Sequence, residues 1–158
     1  MAMKKEQGYT LIEITVATIV LVILGASGLY GWQSYQAHQR LWQTVWQVRD
    51  YLELLRDDAN WHNRDRKVWV KQESGRWCLL ASADAQATCG GDNPFVLRPL
   101  WPEVALVDIT PSLGFYGLRN TAWAGHITLR SEAGEWQIIV SNWGRIRVCQ
   151  RTNSGACS

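Results

Sequence analysis

The chain has 158 residues, enough for one compact domain besides a membrane segment, and a formal net charge of +2. Without Lys4, Lys5 and Glu6 the balance is 14 basic to 13 acidic residues, which excludes a wholesale basic nucleic-acid binder but leaves room for a local patch. Ten tryptophans in so short a chain must contribute to a core or to a contact surface.

Residues 1–8 are short and charged, with Lys4 and Lys5 just before an apolar run. That run, residues 11–31, has 21 positions and a single ionisable side chain that can carry charge at neutral pH, Glu13. As a helix rising about 1.5 Å per residue it spans roughly 30 Å, the thickness of a bilayer's hydrocarbon core. The lysines place the N-terminus in the cytoplasm and the C-terminal bulk on the exported side. A secretory signal would carry a small-residue cleavage site after its apolar stretch, and none follows cleanly here. A carboxylate in lipid costs a few kcal/mol on insertion scales, so Glu13 calls for a partner or a function; the bland alternative is a side chain snorkelling from one turn inside the boundary.

Helical periodicity continues past the apolar run. Leu41, Val45, Val48, Leu52, Leu55 and Ala59 form an apolar stripe, with Gln39, Arg40, Gln43, Gln47, Arg49, Asp50, Glu53 and Arg56 on the other faces, which predicts helix to about Asn60. Gly25, Gly28 and Gly31 mark a bend or a place where packed helices approach closely. Trp32 and Tyr35 suit an interfacial belt, Trp42 and Trp46 core packing. His38 and His62 read as solvated.

Residues 57–67 mix charges and link helix to sheet. Beyond them the period becomes two: strands are predicted over 67–71 and 76–80 around a turn at 73–75, then 95–98, 104–109, weakly 113–118, 126–130, 136–141 and 145–149, with a turn-rich loop at 81–94. The fold class is therefore α+β. Cys78, Cys89, Cys149 and Cys157 lack zinc-site spacing, and on the exported, oxidising side two disulfides are expected. Three pairings are possible; proximity favours Cys78 with Cys89 and Cys149 with Cys157. No hydrolase, nucleotide-binding or metalloprotease motif is present, and Asp57 and Asp58, about 100° apart on a helix, do not make an acid/base pair. No catalytic residue, metal or cofactor is expected, and the chain does not read as an enzyme. In the run Ser141-Asn142-Trp143-Gly144-Arg145-Ile146-Arg147, strand alternation sets Arg145 and Arg147 opposite Ile146 and Val148, with Arg151 close by. Guanidiniums beside an aromatic suit phosphates and stacked bases; a solvated polar face is the simpler alternative.

The junction Gln7-Gly8-Tyr9-Thr10-Leu11-Ile12-Glu13 resembles the class III signal of type IV prepilins. The resemblance implies that a prepilin peptidase cuts after Gly8 and methylates Tyr9, which stands where the family usually has Phe or Met. Glu13 becomes the fifth mature residue, paired with a neighbouring subunit's terminal amine. The S-x-x-G-R-x-R run resembles the signature of the GspH/FimT branch of H-type pseudopilins and minor pilins, in some of which the G-R-x-R element is implicated in binding DNA. The runs Gly28-Leu29-Tyr30-Gly31-Trp32, Arg40-Leu41-Trp42-Gln43-Thr44, Asp58-Ala59-Asn60-Trp61-His62-Asn63-Arg64-Asp65 and Gly117-Leu118-Arg119-Asn120-Thr121-Ala122-Trp123-Ala124-Gly125-His126 are similar to the prepilin peptidase-dependent protein A family of enterobacterial minor pilins.

The resemblance implies a type IV pilin-like fold: leader 1–8, transmembrane and polymerisation helix 9–31, its amphipathic half 32–62, and a periplasmic antiparallel β-sheet domain 63–158. It implies an inner-membrane protein that primes pilus assembly in a tip complex and ends at the cell surface. Expected partners are other minor pilins, the major pilin, the prepilin peptidase, the inner-membrane assembly platform and, before assembly, the lipid bilayer. The alternatives are a DNA-binding minor pilin using Arg145, Arg147 and Arg151 for uptake, or an H-type pseudopilin of a type II secretion system.

Overall fold

The computed structural model describes residues 8–81, 87–117, 120–152, 154, 155 and 157. The leader positions 1–7, residues 82–86 of the predicted loop, and Leu118 and Arg119 lie outside the described residues. The chain divides into two units, one ending at Gln36 and the other beginning at Ala37.

The helix α1 covers Leu11–His62 and is followed, among the described residues, by ten strands, an α+β architecture. The helix closes in a Schellman motif: the Arg64 amide donates to the Ala59 carbonyl at 3.2 Å while Asn63 takes a left-handed φ of 48°. Up to Gln36 the apolar side chains are uncovered; Ile12, Leu21, Val22, Leu24 and Leu29 are all exposed.

In the second unit the helix stripe is buried. Leu41, Val45, Val48, Leu52, Leu55 and Ala59 are at most 1% exposed and form the axis of the main core. Three antiparallel sheets contribute to it. The first joins β1 (Arg66–Lys67), β6 (Gly114–Phe115) and β7 (Ala122–Trp123); the second joins β2 (Trp69–Glu73), β3 (Arg76–Leu80) and β4 (Val96–Leu97). The third runs β10 (Ile146–Gln150), β9 (Gly134–Val140), β8 (Gly125–Ser131), β5 (Ala105–Ile109).

The predicted strand at 67–71 is divided between two sheets. Lys67 pairs with Gly114 and Trp69 with Leu80, and Val68 between them is buried with its amide donating to the Leu113 carbonyl at 2.8 Å. The β2–β3 hairpin turns on Ser74 and Gly75, both with positive φ, 54° and 76°, as a two-residue turn matched to strand twist requires. In the third sheet Ile127, Leu129, Ile138 and Val140 point into the core, backed by Trp136, Ile146 and Val148.

The tryptophans divide unequally. Trp77 is buried and its indole donates to the Val104 carbonyl at 2.9 Å. Trp42, expected inside, is 40% exposed: it stands at the rim, edge-on to Trp46 and Trp136 at 5.1 Å each, because a helix position beside Leu41 faces the edge of the core rather than its centre.

Candidate functional site

The helix start sets the geometry of the N-terminal segment. Gly8 and Tyr9 precede the helix and are exposed; the Thr10 carbonyl accepts from the amides of Glu13 and Ile14 at 3.0 and 3.2 Å. Glu13 lies in the first turn, where the helix dipole favours a carboxylate. Among the described residues no side chain is bonded to it. Downstream, the Thr15, Thr18 and Ser27 hydroxyls donate to the carbonyls of Leu11, Ile14 and Leu24 at 2.8–2.9 Å, so these three are satisfied inside the helix, as a hydrocarbon solvent demands. This helix is long and apolar enough to cross a membrane, with a mean hydropathy of 2.2 over its most apolar window and none of that window buried. A Cβ added at Gly25, Gly28 or Gly31 would meet nothing, so these glycines answer no packing need within the chain.

The second group lies on the β9–β10 hairpin. Its loop is closed by the Ser141 amide donating to the Arg145 carbonyl and the Gly144 amide to the Ser141 carbonyl, both at 2.9 Å, with Gly144 at φ 71°. The loop is tied down from both sides: the Ala122 amide donates to the Asn142 carbonyl, and the Arg56 guanidinium to the Gly144 carbonyl at 3.4 Å. Trp143 at its tip is 79% exposed. Arg145 and Arg147 are exposed, while Ile146 and Val148 pack against the core. Among the described residues neither arginine forms an ion pair. Arg151 differs: its guanidinium donates to Glu135 at 2.8 Å and its amide to the Glu135 carbonyl. Arg130 also bonds Glu135, and this first, with Arg151, holds that carboxyl below its usual range. The three arginines therefore do not form one open cluster.

Cys78 is bonded to Cys89 and Cys149 to Cys157, with Cα separations of 5.9 and 5.3 Å. The first bridge ties Cys89 to β3, and the second draws Cys157 onto the outer face of the third sheet, where its sulfur lies 3.5 Å from Gln137 Oε1.

Two polar constellations have no counterpart in the sequence reading. Asp58 is buried among three cationic or protonatable side chains: Arg64 bonds it at 2.8 and 3.1 Å, Arg66 at 2.6 Å, and the His62 ring lies 3.1 Å away. Its pKa falls from 3.8 to about 2, chiefly through the Arg64 hydrogen bond. His62, read as solvated, is thus engaged with Asp58, an i,i+4 neighbour that helix geometry brings alongside. The mixed charges of 57–67 were the visible signal. On β5 and β8, His126 Nε2 lies 2.8 Å from Asp108 and Nδ1 3.3 Å from the Thr110 hydroxyl. This order resembles a nucleophile relay, but the Thr110 oxygen accepts the His126 backbone amide at 2.9 Å, which occupies it structurally. Among the described residues no group of His, Cys, Asp and Glu is arranged to hold a metal ion.

Comparison with protein-family profiles, curated proteins and solved structures gives no match.

Proposed function

We propose that the chain is a minor pilin of a type IV pilus, processed after Gly8, held in the inner membrane with its sheet domain in the periplasm, and then built into a tip complex that primes polymerisation of the major pilin. The observation that carries this reading is the uncovered apolar stretch of the helix, which has a carboxylate in its first turn and whose Thr15, Thr18 and Ser27 hydroxyls are bonded to its own carbonyls. A simple anchor needs the apolar surface but not Glu13. Extraction from lipid is costly for such a helix, and packing against neighbouring helices offsets the loss; the space around Gly25, Gly28 and Gly31 suits close approach there. The processing step is the direct test. Co-expression with a prepilin peptidase should give a mature chain beginning at methylated Tyr9, seen by intact mass, and Gly8→Val should abolish the shift. An unprocessed wild-type chain would reject the assignment, including the H-type pseudopilin variant, which neighbouring genes would otherwise separate from a pilus role.

A second reading, DNA capture during uptake, is favoured by one observation: Arg145 and Arg147 are exposed without ion-pair partners among the described residues, beside an almost fully exposed Trp143. Near-neutral overall charge confines such binding to this hairpin.

A further inference from the structure

The geometry points to a carboxylate-binding cleft on the second sheet, between Arg76 and Arg98, remote in sequence from both the N-terminal segment and the β9–β10 hairpin. The register of β2 and β3 sets Glu73 opposite Arg76 and Lys71 opposite Cys78; β4 pairs Val96 with Leu80, so Arg98, two residues on, returns to the same face. That face is walled by the Cys78–Cys89 disulfide. The resulting cavity has a volume of about 230 Å³ and is lined by Glu73, Arg76, Trp77, Cys89, Arg98 and Pro99 among others.

The cleft is built before any ligand arrives. Gln47 of the helix clasps the chain beside Arg98, its amide donating to the Arg98 carbonyl at 2.9 Å and its oxygen accepting from the Leu100 amide at 3.4 Å. The opposite wall is fixed by the disulfide and by the Cys89 amide donating to Glu73 Oε2 at 3.0 Å. On the opposite face of β3, Trp77 is fixed in the core by its bond to Val104, which anchors the strand beneath the cleft. Such preorganisation reduces the ordering cost of binding.

Charge selects the ligand. Among the described residues neither Arg76 nor Arg98 forms an ion pair, and Lys71 alongside gives its ammonium to the Ala87 carbonyl at 2.8 Å, which satisfies hydrogen bonding but leaves the charge uncompensated. The three charged lining residues sum to +1 and Lys71 beside them adds a further positive charge, so the cleft favours an anion, while Glu73 in its wall disfavours the more highly charged phosphate dianion. Guanidinium forks match carboxylates in geometry, and the disulfide and Pro99 offer apolar surface to the carbon beside the carboxyl. The carboxyl could belong to a free small acid or to a protein segment, and the site stands whether or not the chain builds a pilus.

The test uses the ¹⁵N-labelled full chain in detergent micelles, titrated with acetate, with N-acetyl-tetra-alanine, with that peptide's C-terminal amide, and with inorganic phosphate. The Cys89 and Gly90 amide signals should move saturably, in the millimolar range typical of a single small contact, with the two carboxylates but not with the amide. Arg76→Gln with Arg98→Gln should weaken binding at least about tenfold, and Arg98→Lys, which keeps charge but loses the fork, by a smaller factor. Should the double variant alter signals far from the cleft, Arg98→Lys alone decides. Tighter binding of the peptide than of acetate identifies a protein segment as the source, and equal binding a small acid. Unsaturable shifts, shifts that survive these substitutions, or phosphate binding as tightly as acetate would overturn the assignment.

Discussion

Arg66 Nε lies 2.6 Å from Asp58 Oδ2, so the first residue of the first strand is bonded to a buried carboxylate one turn from the helix's end. Arg64 spans both oxygens, Nη2 donating to Oδ1 at 2.8 Å and Nε to Oδ2 at 3.1 Å, and together the two arginines fix the direction in which the chain leaves the helix. Asp58→Asn keeps the shape but removes the charge that both guanidiniums face. The loss should be about 1–3 kcal/mol, read as a lower denaturation midpoint of the full chain in detergent micelles by near-ultraviolet circular dichroism. An unchanged midpoint would show the bonds to be stability-neutral.

The same carboxyl gives a pH signature. Its folded pKa, about 2, is below the ordinary 3.8, so its contribution is fully present above about pH 4 and is lost as pH falls towards 2. Glu135 and Glu103, both held low by arginine partners, act in the same direction. Asp58→Asn should therefore flatten, not abolish, the acid decline of stability. A wild-type and variant decline of equal steepness would mean that Asp58 titrates alike in both states.

Gly117 marks the second point where the helix exit is fixed. A Cβ there would stand 2.5 Å from the Asn63 carbonyl carbon and against the Arg64 amide, all backbone that cannot yield. Its own amide donates to Asp65 at 3.1 Å. Gly117→Ala should cost about 1–3 kcal/mol in the same midpoint assay, the usual toll of overpacking, whereas Gly28→Ala, with open space around it, should leave that midpoint unchanged.

These two points show what periodicity can and cannot disclose. Leu41 to Ala59 and Ile127 to Val140 repeat with the periods of helix and strand, so the α+β class and the core face were legible. Asp58 was not, because a charge looks solvated until the partners that bury it, six and eight residues away, are folded beside it. The division of 67–71 between two sheets escaped for a similar reason: alternation gives a face but not which neighbour a strand pairs with. The short β7, Ala122–Trp123, exists only through its pairing with β6. At the N-terminal segment the lone carboxylate was visible from composition, since one in 21 residues needs no tertiary information to stand out. The cleft between Arg76 and Arg98 required register and a loop closure that sequence spacing alone does not supply.

If the pilin reading holds, Glu13→Ala should insert into membranes as the wild type does, because removing a carboxylate from lipid lowers the insertion cost. Incorporation into filaments, or priming counted as pili per cell, should fall. Insertion is checked by carbonate-resistant membrane fractionation and assembly by shear and immunoblot. Wild-type piliation in this variant would remove the role assigned to Glu13 in subunit register, while leaving processing after Gly8 untouched.

The hairpin arginines separate DNA capture from simple solvation, and Arg151 serves as the internal control. Arg145 and Arg147 are exposed and unpaired among the described residues, whereas Arg151 is held by Glu135. Duplex DNA should bind the full chain in nonionic detergent with a salt-dependent affinity if the uptake reading is right. Arg145→Ala with Arg147→Ala should then reduce the log–log salt slope by roughly 2, one for each phosphate that is no longer neutralised. Arg151→Ala should change that slope less, since its guanidinium is engaged by Glu135, and instead lower the denaturation midpoint by removing one of the two arginines that hold Glu135. A mobility shift dependent equally on all three arginines would require Arg151 to leave Glu135 on binding. No shift at low salt would return Arg145 and Arg147 to the role of solvated charges on a sheet's outer face.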